Sequence, residues 1–200
     1  YGLDRVGTLD EVDTFLISRD SGIQMILKES EEALLNGGIA DKESETAALL
    51  LAIALSGSNP ASAQPRQEGA VLPPQRVRAL EILGRFASPE QIPLFIRIFR
   101  NDRDSHVRAM AAYTIGICGV DPSGRALAAF EAAAINGRDR QDEMLMISVA
   151  KATGALCRFS GPPLSERGIR LLTLLSGPDR QPVLQRTARA EIELFRMTAQ

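Results

Sequence analysis

Apolar residues recur along most of this chain with the period of one helix face. In "HVRAMAAYTIGIC", Val107, Met110, Ala111, Thr114, Ile115 and Cys118 fall at i, i+3, i+4, i+7, i+8 and i+11. That spacing puts them on one side of an α-helix. Gly116 and Gly119 supply its exit. "DPSGRALAAFEAAAI" follows, with Asp121 as N-cap, Pro122 at the first helical position, and Leu127, Phe130 and Ala134 on the apolar face. So short a link makes the two helices antiparallel.

The same arrangement recurs on both sides. "PQRVRALEILGRF" predicts a helix from about Pro74 to Phe86, and "SPEQIPLFIRIFR" opens with a cap and capping box at Ser88–Gln91. Pro93 predicts a loose first turn before the regular part, which runs to about Arg100. Downstream, a helix over 140–159 ends at "GPP", "LSERGIRLLTLLS" is its partner, and "QPVLQRTARAEIELF" begins one more. Towards the N-terminus, Ile23, Ile26, Leu27 and Leu34 point inward from a helix that Gly37-Gly38 ends. Asp41 caps the next helix, and "TLDEVDTFLIS" forms a short leading one.

Aligning the glycine that closes each first helix (Gly84, Gly116, Gly154) gives spacings of 32 and 38 residues. Helix pairs repeating at that period predict an all-α fold, a right-handed α-solenoid of antiparallel pairs with about four and a half repeats. Residues 1–57 form a divergent N-terminal repeat, 58–73 a mobile inter-repeat loop anchored only by Val71 and Leu72, and 74–200 the regular repeats. The last helix, from about Pro182 to Met197, is a cap. It turns Leu184, Ala188, Ile192 and Phe195 inward and Arg186, Arg189, Glu193 and Arg196 to water.

Composition supports helices and narrows the chemistry. Trp is absent and aromatics make up 4%, which disfavours sandwiches and barrels. The net charge of −2 hides a split. Residues 1–60 carry 11 acidic and 4 basic side chains, and 61–200 carry 14 and 19, mostly Arg. Two Cys and one His cannot supply the four ligands of a zinc site, so no cofactor is expected. Adjacent helices sit too far apart for an easy Cys118–Cys157 disulfide, so both are expected as free buried thiols. The apolar run Ala47–Leu55 is far shorter than the roughly 20 residues of a membrane span. The chain begins at Tyr1, so an upstream segment is expected. The compartment is left open, with cytoplasm favoured over export or the periplasm.

"DRDSHVRAMAAYTIGICGVDPSGRALAAF" resembles a HEAT repeat of the PBS-lyase-like type. The resemblance is carried by Asp102 and Asp104, Val107-Arg108, Ala111-Ala112, Ile115-Gly116 and the capped second helix. "QRVRALEILGRFASPEQIPLFIRIF" is similar in outline, with Gln75-Arg76 where Val107-Arg108 stand; the later segment has Leu145-Met146 there. The resemblance implies that Arg108 is structural, one rung of a ladder pairing with Asp102, Asp104 or a neighbour. It also implies that second helices line a concave face. Arg97, Arg100, Arg125, Arg167 and Arg170 would then form a basic strip there, with Arg103 beside it. Glu90, Glu131 and Glu166 are the residues that would neutralise it.

His106 sits in a first helical turn, where its sequence neighbours Asp104 and Ser105 do not face it. It reads as a surface or capping residue. The expected function is therefore a non-enzymatic scaffold for a protein or peptide. Nucleic-acid binding through the Arg strip is the alternative, weakened by few Lys and no aromatic stacking platform. Lyase activity stands on family association alone. One His excludes the paired His ligands of the iron hydroxylases built on HEAT repeats, and the lack of Trp counts against a glycosylase.

Overall fold

The computed structural model describes residues 20–36, 45–56, 71–86 and 89–198. The expected leading helix at 8–18, the Gly37-Gly38 stop, the Asp41 and Ser88 caps, and the loop from 57 to 70 lie outside the described residues. Of the two expected loop anchors, Val71 is buried and Leu72 is exposed.

Nine α-helices and no strand occur among the described residues. They are α1 (Asp20–Leu35), α2 (Glu45–Leu55), α3 (Pro73–Gly84), α4 (Ile92–Asn101), α5 (Ser105–Cys118), α6 (Arg125–Ile135), α7 (Glu143–Phe159), α8 (Leu164–Leu175) and α9 (Pro182–Thr198). Single 3-10 turns, Pro89–Gln91 and Asp139–Gln141, lead into α4 and α7. The first is the loose turn that Pro93 imposes, since proline has no N–H to give to a helical bond.

Helices pack on alternate helices. α3 lies on α5, α5 on α7 and α7 on α9, while α4 touches α6 and α6 touches α8. Along the chain the close neighbours are α2 with α3, α4 with α5, and α7 with α8. The expected back-to-back contact of α5 with α6 is looser than that of α5 with α4. α6 is tied in through Phe130, whose ring meets Phe99 of α4 edge-on, with centroids 5.1 Å apart and planes at 79°. Both rings are fully buried. α9 docks on α7 and α8 through Leu184 and Ala188, both buried.

Gly84 ends α3 as expected, but the other two repeated glycines are contact points and not helix ends. Gly116 lies inside α5 and Gly154 in the middle of α7. The residue that stops α5 is Gly119, left-handed at φ 73°. A Cβ on Gly84 would stand 3.2 Å from Ile117 of α5. One on Gly116 would stand 2.8 Å from the Ala152 Cα of α7, and one on Gly154 would meet Glu191 of α9. Each glycine thus admits the next odd helix. Gly116→Ala should cost about 1–3 kcal/mol, because a backbone atom must give way. Gly137→Ala, with nothing within 4 Å, serves as the control. Equal melting temperatures for the two variants would refute this role.

Caps differ in detail from expectation. Asp104 accepts from the backbone N–H groups of His106 (2.9 Å) and Val107 (3.2 Å), and Asp142 from that of Leu145 (3.0 Å). Asp121 is not the N-cap of α6, which starts three residues later than Pro122, after Gly124 at φ 65°. Its buried carboxylate still accepts from Leu127 N–H at 3.0 Å, so it closes the first turn from outside the helix.

Candidate functional site

Two sets of arginines occupy different places in this framework. The first set holds the layers together. Arg108, on α5, does not pair with Asp102 or Asp104. Its guanidinium reaches forward to Asp139, in the turn before α7, through two parallel bonds, Nη1 to Oδ1 at 2.8 Å and Nη2 to Oδ2 at 2.7 Å. Its Nε donates to the Phe99 carbonyl at 2.7 Å, and its guanidinium carbon lies 5.6 Å from the Phe99 ring centroid. The pair is nearly dry, the two side chains being 11% and 12% exposed. The guanidinium bonds hold the Asp139 carboxyl below the usual carboxylate range, against the opposing effect of burial.

Asp102 belongs to the preceding rung. It accepts from Arg76 of α3 at 2.9 Å, and Arg76 also donates to the Val71 carbonyl at 3.0 Å. Oδ1 of Asp102 takes the Asp104 N–H as well, at 2.9 Å, so one rung sets the cap of α5. Two Arg–Asp pairs, Arg76–Asp102 and Arg108–Asp139, thus stand in corresponding places, and neither is the expected pairing of Arg108 with Asp102 or Asp104. Each rung joins an Arg of one odd helix to an Asp beyond the following even helix. At the third level the equivalent residue is Met146, and the cation comes from elsewhere. Arg180, in the turn after α8, is buried and donates Nη2 to the Ala134 carbonyl at the end of α6, at 3.0 Å. Sequence reasoning missed Arg76, Asp139 and Arg180. The alignment of Arg76 with Arg108 carried the signal for the first two, since equivalent arginines call for equivalent partners one repeat apart.

The second set lies on the solvent side of the even helices. Arg97 and Arg100 on α4, Arg125 at the start of α6 and Arg170 on α8 are exposed, as is Arg103 in the turn after α4. None of these five forms an ion pair with a described residue. Arg167 is different. It is held by Glu131 of α6 through Nε to Oε1 at 2.7 Å and a second bond from Nη2 to Oε2. That bonding raises its pKa, against desolvation. Of the three acids expected to neutralise the strip, Glu131 does so for Arg167 alone. Glu166 is exposed.

His106 is exposed, with its Nδ1 3.7 Å from Asp104 Oδ1, and serves α5 mainly through its backbone N–H. Cys118 is half-buried and Cys157 buried. Burial pushes both thiols up to about 11, far from the thiolate state that makes cysteine reactive. Among the described residues no group of three His, Cys, Asp or Glu side chains converges as a metal site would require. No described helix is long and apolar enough to cross a membrane.

A cavity of about 440 Å³ opens between the turns before α7 and α9, lined by Arg140, Glu143, Asp179, Arg180 and Gln181. Asp179 takes Arg140 directly and stands 3.9 Å from Arg180 Nε, while Nε and Nη1 of the buried Arg180 have no hydrogen-bond partner. Comparison with known proteins finds no matching family, no matching curated sequence and no matching solved structure.

Proposed function

We propose that this chain is a non-catalytic interaction scaffold, a HEAT-like right-handed solenoid of antiparallel helix pairs. Its even helices present a basic surface to an acidic segment of a partner protein. The supporting observation is the set of exposed arginines Arg97, Arg100, Arg125 and Arg170, which run across three successive even helices without an ion-pair partner among the described residues. Arginine suits this work because its planar fork meets a carboxylate through two bonds. Arg167 is preoccupied by Glu131 and orders the surface instead of contacting the partner. The packing of odd helices on odd and even on even supports the solenoid reading, because each unit then contacts its neighbours alone.

The test is binding of a labelled oligo-Glu peptide and of a single-stranded oligonucleotide of equal charge. The comparison is between the native chain and one carrying Arg97→Glu, Arg100→Glu, Arg125→Glu and Arg170→Glu. Peptide affinity should fall about tenfold or more, a loss of at least about 1.4 kcal/mol, and should weaken with salt. Unchanged peptide binding would dismiss the strip. Tighter oligonucleotide binding, with a steep salt slope lost in the variant, would favour a nucleic-acid partner.

A further inference from the structure

α9 carries two apolar stripes, and only one of them is used by the fold. Leu184 and Ala188 face the core. On the other side Val183, Thr187, Ala190, Leu194 and Met197 follow one another at alternating steps of four and three residues, the spacing of a coiled-coil seam. Val183 is 44% exposed, Leu194 41% and Met197 66%, and Ala190 is exposed as well. Thr187 between them is half-buried, and its hydroxyl donates to the Val183 carbonyl at 3.0 Å. The expectation of a polar outer face holds for Arg186, Arg189, Glu193 and Arg196, all exposed, but this seam runs beside them.

We infer that the seam pairs with α9 of a second copy of this chain, antiparallel and two-fold symmetric. The charges beside the seam argue for that occupant. Arg186 and Glu193 share one flank, two turns apart, and neither forms an ion pair with a described residue. In an antiparallel pair, seam layers match Thr187 with Ala190 of the second copy and Val183 with Leu194 of the second copy. The same register sets Arg186 beside the second copy's Glu193, and symmetry repeats the pair. A parallel pair would put Arg186 opposite the Glu191 position instead. That carboxylate is already held by Arg158 of α7 at 2.7 Å, 12% exposed. Small residues in the two central layers let the backbones approach, and the branched or larger Val183 and Leu194 close each end. Seventeen residues make a helix about 25 Å long. One helix per protomer buries less than the ~1,600 Å² of a standard interface, so the dimer forms reversibly with concentration. The inference is independent of the basic surface on the even helices.

Sedimentation equilibrium of the full chain tests it. The native protein should show a monomer–dimer equilibrium. Arg186→Glu alone and Glu193→Arg alone should each weaken it about tenfold, since each sets like charges together twice. The two substitutions combined should restore association to within about threefold, and Leu194→Lys should abolish it. Far-ultraviolet circular dichroism checks that these exposed positions leave the helices intact. A native chain that stays monomeric at about 1 mM overturns the proposal. So does a dimer indifferent to the single reversals, whose contact must lie elsewhere.

Discussion

Arg108→Ala should lower the melting temperature by about 6–12 °C. The substitution leaves the Asp139 carboxylate without the guanidinium that meets it in two bonds, and leaves the Phe99 carbonyl without the Arg108 Nε donor. Removing one partner of a buried ion pair costs about 3–5 kcal/mol, because the other charge stays behind. Both side chains here keep a little solvent contact, so the lower end applies. A chain of this size loses about 2–4 °C per kcal/mol. Acid should close the gap between native and variant proteins. The folded Asp139 carboxyl lies below its unfolded value, so its contribution is whole above about pH 4. It disappears as the pH falls through the folded value. An Arg108→Ala chain that melts with the native protein at neutral pH would show that the rung carries no stability.

The helices were legible because their signals are local. The 3.6-residue apolar period placed α3 to α9 within a few residues of their observed bounds, and the Pro and Gly punctuation marked where they stop. The ladder was half legible. The resemblance implied an Asp partner for Arg108, but that partner stands 31 residues on, and nothing in the local pattern chooses Asp139 over Asp102. Choosing needs the packing of α5 on α7, which three-dimensional contacts decide. The glycines mislead for a similar reason. A glycine near a helix end suits a stop signal, yet Gly116 and Gly154 serve the approach of the next odd helix, a demand that comes from outside their own segment. The exposed arginines of the even helices were legible as composition and not as charge balance. Arg167 looks like its neighbours in sequence, and only the position of Glu131 across α6 and α8 removes it from the free set.

Removing residues 181–200 should destabilise the chain by at least about 4 kcal/mol and promote aggregation. α9 rests on α7 and α8 through Leu184 and Ala188, with Ile192 packed against the same core. Burying one leucine side chain is worth about 1.5–3 kcal/mol. The deletion also strips the matching apolar surface from α7 and α8, so the loss falls on both sides of the contact. It breaks the Arg158–Glu191 pair, whose side chains are 24% and 12% exposed, and opens the space at Gly154 that Glu191 fills. Light scattering and a dye that binds exposed apolar surface report the aggregation, and thermal unfolding reports the stability. Thermal unfolding is compared in dilute solution, where the native chain is monomeric, so that loss of the α9 seam adds nothing. Under those conditions Leu194→Lys should melt with the native chain, because Leu194 lies on the exposed stripe, whereas the truncation should not. If the truncated chain melts unchanged and stays dispersed, α9 is a tail resting on the fold, and the α7–α8 surface beneath it is stable without cover.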